Sequence, residues 1–214
     1  MTKIVQNAFS ESEIAELNSY FQSLRAKQKP NTAYQYKPQE ADRWSATDDA
    51  TLSRRLQAIV DKHVDLEMIN VIMFVRQYLP STLHVDQVYS GLSFLIPLSE
   101  CGPNTHQTLV FKQRSKKNKE LHDVYEHYGA MKEKNRPPYD HSTQYRLSHL
   151  KTHPEADWNI ADWLELDAVY GYELGSMVYF SSNQLHCSNN WTSAVQLKHK
   201  DFILIHTDFA KDLK

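Results

Sequence analysis

The sequence predicts an α+β fold: a β-sandwich or jelly-roll core with N-terminal helices packed on one face. Three observations carry this. Two segments near the start place apolar residues at helical spacing, the texture becomes β-branched and aromatic from Asn70 onward, and one long polar stretch interrupts the strands before they resume. With 214 residues, 41% of them hydrophobic, the chain can bury one sizeable core, and it reads as a single domain over 1–214 with a basic polar insertion at about 112–169.

The first helix is expected in "SESEIAELNSYFQSLRAK". Ser10 followed by Glu13 forms a capping-box pattern, and Ile14, Leu17, Phe21 and Leu24 fall on one face. The segment "KPNTAYQYKPQEADRW" carries two prolines and reads as loop or edge strand. A second helix is expected in "DDATLSRRLQAIVDKHVDLEM", with Leu52, Leu56, Ile59, Val60, His63 and Val64 near one stripe. Strands follow in "NVIMFVRQYLP", "SGLSFLIPLSE", "HQTLVFK", "DWLELDAVYGYELGSMVYFSS" with a turn at Gly175, and "HKDFILIHTDF". Across 112–153, basic residues outnumber acidic ones two to one, and five histidines sit there without tight metal spacing (His122, His127, His141, His149 and His153). That stretch is too long for a hairpin loop.

The net charge of −2 and a pI near 6.6 supply no global attraction for nucleic acid. The first residues lack the pattern of a signal peptide, and no apolar run approaches the length needed to span a bilayer. A cytoplasmic setting with Cys101 and Cys187 as reduced thiols is therefore expected.

Three His-x-Asp pairs stand out: His63/Asp65, His84/Asp86 and His206/Asp208. Inside a helix, residues two apart point about 200° apart and cannot grip one ion. That argues against His63/Asp65, which falls within the expected second helix. In extended chain, the same spacing puts both side chains on one face with Cα atoms about 6.5 Å apart. His84 and Asp86 lie between two strands and can converge. His206 and Asp208 are also extended, but no histidine follows them and a third ligand would have to come from upstream. A facial two-histidine, one-carboxylate site with open positions needs one more imidazole. His186, in the polar segment after "GSMVYF", is the best candidate. With 11 histidines and 26 acids, such a combination also arises by chance, so spacing alone leaves the question open.

The surrounding residues add to it. "MFVRQYLPSTLHVDQVYSGLSFLIPLSE", "ELGSMVYFSSNQLHCSNNW" and "KHKDFILIHTDF" resemble, in order, the signature blocks of the Fe(II)/2-oxoglutarate-dependent oxygenases, nearest the prolyl-4-hydroxylase-like branch. The resemblance covers 70–111 and 170–209 and fails across 112–169. It implies a double-stranded β-helix, a distorted jelly roll, with iron at its mouth. It also implies His84, Asp86 and His186 as metal ligands and catalytic centre, with Fe(II), 2-oxoglutarate and O2 as cofactor and co-substrates. Lys200 would then hold the far carboxylate of 2-oxoglutarate, with Lys198, of the same strand parity, as the alternative. A lysine cannot make arginine's bidentate fork, so a second donor gains value there. Tyr78, at the family's tyrosine-before-proline position, is the candidate.

The implied reaction is hydroxylation of an unactivated C–H bond, with release of succinate and CO2. A prolyl or other amino-acid residue in a protein or peptide is the leading substrate class. Gln87, Val88, Tyr89, Trp44 and Trp191 are candidate entrance residues, and the basic insertion is either a lid or a solvated loop. Two alternatives stand beside this reading: a nucleic-acid-acting dioxygenase using the basic insertion, and a non-enzymatic jelly-roll protein binding a metal, a sugar or a partner.

Overall fold

The structure, a computed structural model, describes residues 2–31, 41–65, 68–78, 86, 91–99, 107–112, 166–182, 184, 186–189 and 199–207. Along the chain run β1 (Lys3–Val5), α1 (Glu11–Lys27), β2 (Ala41–Ser45), α2 (Ala50–Val60), β3 (Ile69–Gln77), β4 (Leu92–Pro97), β5 (Gln107–Phe111), β6 (Leu166–Gly171), β7 (Met177–Ser181), β8 (His186–Asn189) and β9 (Lys200–Thr207).

Helix α1 begins where its capping box lies. The Ser10 side chain accepts from the Glu13 N–H, and the Glu13 carboxylate accepts from the Ser10 N–H at 2.7 Å. Hydrogen bonds from the Ser10 N–H and the Ser10 hydroxyl hold the Glu13 carboxyl below its ordinary value. At the start of α2, Asp49 accepts from the N–H groups of Thr51 and Leu52 and from the Tyr20 hydroxyl.

Helix α2 is shorter than its apolar stripe suggests. After Val60 the regular helix gives way to turns, with Lys62 N–H bonded to Ile59 O and both His63 N–H and Val64 N–H bonded to Val60 O. His63 and Asp65 therefore lie beyond the helix, so the helical-angle argument against that pair does not apply to them. The His63 carbonyl accepts from the Tyr179 hydroxyl at 3.5 Å, and Asp65 is exposed.

The strands form two antiparallel sheets. One has six strands in the order β1-β7-β4-β9-β3-β2, and the other has three in the order β6-β5-β8. Because side chains alternate along a strand, each strand of the large sheet serves two environments. Ile72, Phe74, Phe94, Ile96, Met177, Tyr179, Ile203 and Ile205 share a cluster with Ile14, Leu17, Phe21 and Leu24 of α1 and Leu52, Leu56, Ile59 and Val60 of α2. Phe21 stacks on Phe74 at 5.2 Å between ring centroids and meets Trp44 edge-on at 5.3 Å. The intervening residues, Met73, Val75, Leu95, Val178, Phe180 and Phe202, meet Val110 of β5, Tyr170 of β6 and Tyr172 just beyond it. Two sheets packed face to face in this way make the jelly-roll core.

Strand β6 starts at Leu166, within the stretch the sequence assigns to the insertion; 113–165 lie outside the described residues. The turn between β6 and β7 needs Gly175, whose φ is +80°, and a Cβ there would sit 2.9 Å from the Phe9 carbonyl oxygen. Among the described residues, no helix is long and apolar enough to cross a membrane.

Candidate functional site

Strand β9 supplies the axis of the site. Phe202 and Leu204 point into the space between the sheets, so Lys200 and His206 share that direction, while Asp201, Ile203 and Ile205 face the other way. Register opposes Lys200 to Gln77 of β3 and His206 to Ser93 of β4.

At one end of this inner face the structure brings Asp86 and His186 together. The Asp86 N–H is bonded to the Ser182 carbonyl at 2.8 Å, which ties the residue to the end of β7. His186 opens β8, opposite Val110 of β5, with its ring 4.7 Å from that of Phe180. Its Nδ1 lies 2.9 Å from the Gln184 carbonyl oxygen, which can only accept, so Nδ1 carries the proton and Nε2 of the neutral ring offers a lone pair. Gln184 is itself immobilised: its side-chain oxygen accepts from the Ser181 N–H, and its amide donates to the Phe111 carbonyl.

His186 Nε2 faces Asp86 Oδ2 at 3.8 Å. That is too long for a hydrogen bond. It is a span that one ion, with bonds of about 2.0–2.2 Å to each atom, can bridge. A deprotonated imidazole nitrogen beside a carboxylate thus fits a divalent metal in chemistry and separation. No group of three His, Cys, Asp or Glu side chains meets the requirements of a metal site among the described residues. His84 lies outside them, as do Lys198, Asp208, Trp191 and residues 87–89.

Lys200 is only 1% exposed. Its ammonium stands 3.8 Å from the centroid of the Tyr172 ring and 5.3 Å from that of Phe202. The Tyr172 hydroxyl pairs with Thr108 Oγ1 at 3.0 Å, and buried Gln77 reaches Ser188 Oγ at a long 3.5 Å. The neighbours of this buried ammonium thus include two aromatic rings, one of which carries a hydrogen-bonded hydroxyl.

Tyr78 is one residue beyond Gln77, and that step turns it to the opposite face. Its hydroxyl donates to Asp42 Oδ2 at 2.8 Å, beside the bidentate Arg76–Asp201 pair. Tyr172, which the sequence reading did not single out, occupies the place beside the lysine instead. Its only local sign was membership of "VYGYELG", where nothing separates an inward tyrosine from its neighbours.

Trp44 packs under α1 and donates its indole N–H to the Gln28 carbonyl, which is a structural role. Cys187, next to His186, is buried, and burial pushes its thiol up to about 12, leaving it protonated and poorly nucleophilic. Burial likewise holds His206 below its ordinary value; the nearby Asp86 carboxylate opposes that effect and His186 adds to it.

No family model matches the sequence, and none of the curated proteins matches it. Solved structures do match in shape. The non-heme α-ketoglutarate-dependent epimerase SnoN from nogalamycin biosynthesis has a TM-score of 0.59 at 10% identity, over 97% of this chain and 78% of that one. HygX from Streptomyces hygroscopicus, with nickel and 2-oxoglutarate bound, gives 0.56 at 12% identity, over 97% and 82%. A Pseudomonas putida prolyl-4-hydroxylase gives 0.51 at 9% identity, over 97% and 92%. At such identities the likeness establishes a shared fold.

Proposed function

We propose that this chain is an Fe(II)- and 2-oxoglutarate-dependent dioxygenase. The observation that carries the reading is the pairing of His186 Nε2 with Asp86 Oδ2 at 3.8 Å, on the same inner face as the buried Lys200. The fold shared with SnoN and HygX supports it.

In this reading His84, Asp86 and His186 hold the metal. Bound Fe(II), with 2-oxoglutarate and O2, supplies the oxidising chemistry, and succinate and CO2 are released. The chain's own residues do the positioning. The Gln184 carbonyl keeps the Nδ1 proton of His186 in place and so keeps Nε2 basic. Lys200 pairs with the far carboxylate of 2-oxoglutarate, and the Tyr172 and Phe202 rings beside its ammonium help exclude water from that pair. The hydrogen-bonded Tyr172 and Thr108 hydroxyls are candidate additional donors to that carboxylate. For Tyr78 to serve there, its hydroxyl would have to leave Asp42 and change faces. Lys198 is the alternative cation to Lys200.

Hydroxylation of a prolyl or other amino-acid residue in a protein or peptide is the substrate reading that the sequence motifs favour. A small-molecule substrate is the second, since the fold is also that of SnoN, an epimerase from nogalamycin biosynthesis. The test is succinate formation from 2-oxoglutarate with Fe(II) across peptide and small-molecule panels. Wild-type protein should release succinate in step with substrate oxidation, and His84→Ala should not. His63→Ala should match wild type, and equal loss in the two variants would contradict the assignment of His84.

A further inference from the structure

His206, the first residue of the third His-x-Asp pair, is not among the proposed metal ligands, yet it is buried at the centre of the site. Its Nδ1 lies 3.0 Å from Ser93 Oγ, directly across the β4–β9 register. Ser93 Oγ also lies 2.8 Å from Asp86 Oδ2 and 3.0 Å from Ser182 Oγ, and both serines are fully buried.

A proton count orders these contacts. A serine hydroxyl has one proton to give and two lone pairs to receive. A carboxylate can only accept, so the Ser93 proton goes to Asp86. Ser182 and His206 must then both donate to Ser93, which places the ring proton of neutral His206 on Nδ1. Ser182 grips Asp86 a second way, because its carbonyl accepts the Asp86 N–H at 2.8 Å. The side chain and the backbone of Asp86 are thus both held from the ends of β4, β7 and β9.

We propose that His206 is a positioning residue: it acts through Ser93 to orient the Asp86 carboxylate for the metal. This rests on the metal reading above. Hydrogen-bonded partners of a ligand are typically worth about 10–100-fold in metal affinity.

The experiment measures Co(II) affinity of the purified full chain by its visible absorption, together with thermal stability without metal. Ser93→Ala and His206→Leu should weaken Co(II) binding by about 10-fold or more. His206→Asn, whose amide restores a donor near the Nδ1 position, should recover most of it. In metal-free wild type at neutral pH, ¹⁵N shifts should show the Nδ1–H tautomer of His206, lost or altered in Ser93→Ala.

Affinity unchanged within about 2-fold in both Ser93→Ala and His206→Leu overturns the relay alone, and so does an Nε2–H tautomer. Equal losses in His206→Leu and His206→Asn, tracking loss of thermal stability, assign His206 to packing and also overturn it. Wild-type protein that takes up no Co(II) overturns the metal reading, and the role of the relay falls with it. If Ser93→Ala does not fold, the His206 pair and the tautomer decide.

Discussion

The two faces of β9 show how one strand serves two purposes. Toward the helices it presents Ile203 and Ile205, buried among Phe21, Leu56 and Phe74, with Asp201 on the same side at the strand's start, paired to Arg76. Toward the second sheet it presents Lys200, Phe202, Leu204 and His206, where buried charge and hydrogen-bonding groups alternate with apolar ones. The first face stabilises by removing apolar area from water. The second carries an ammonium and an imidazole whose burial must be offset by partners, among them the Tyr172 ring beside Lys200 and the Ser93 hydroxyl beside His206. The inner face is the one that holds Lys200 and His206, the groups to which the proposed function assigns a role.

That contrast is sharpest under mutation. On the inner face, His186→Ala should abolish 2-oxoglutarate turnover, a loss of at least about a thousandfold if the metal carries the chemistry, with a folded protein by circular dichroism. On the helix face, Phe21→Ala should cost about 3–5 kcal/mol of stability by opening a cavity under Phe74 and Trp44. Denaturant unfolding would show this, while the KM for 2-oxoglutarate stays near wild type in the protein that remains folded. Lys200→Met should do the reverse. It should raise that KM by about 10–100-fold, the worth of a charged hydrogen bond at about 1.5–3 kcal/mol, with little loss of stability. A Lys200→Met variant with unchanged KM would shift the role to Lys198.

The smallest effect concerns Asp49. Asp49→Ala should cost about 1 kcal/mol through loss of the α2 cap. Hydrogen bonds from the Leu52 N–H, the Tyr20 hydroxyl and the Thr51 N–H hold the Asp49 carboxyl below its ordinary value. Its contribution is therefore fully present above the ordinary carboxylate pKa and disappears as pH falls through the lowered one. The difference in unfolding midpoint between wild type and Asp49→Ala should shrink on acidification below about pH 4; a constant gap would rule out this linkage.

The same alternation explains what could be read from the sequence. The start of α1 was legible because Ser10 and Glu13 act locally. Strands β3, β4, β7 and β9 were legible as dense β-branched and aromatic runs. The end of α2 was not, since Val60, His63 and Val64 continue a helical spacing that the backbone abandons for turns. Strand β8 escaped notice because "HCSN" is polar and becomes a strand only by pairing with β5.

Asp86 and His186 are ligand candidates on residue type and resemblance, and the structure sets them 3.8 Å apart. Tyr172 and Ser93 were not legible in the sequence. Their contacts come from packing and register between strands distant in sequence, which no local pattern encodes. Tyr78 shows the converse: a position that looked apt in sequence is turned away by a single residue of strand parity.

The central claim is a metal and a dicarboxylate held together on the inner face of the two sheets. Anaerobic titration of the purified chain with Fe(II) and 2-oxoglutarate tests it most directly. The account predicts a weak visible charge-transfer band that saturates at one equivalent of iron, is absent in His186→Ala, and requires more 2-oxoglutarate in Lys200→Met. No band in wild type, or the same band in His186→Ala, would contradict it.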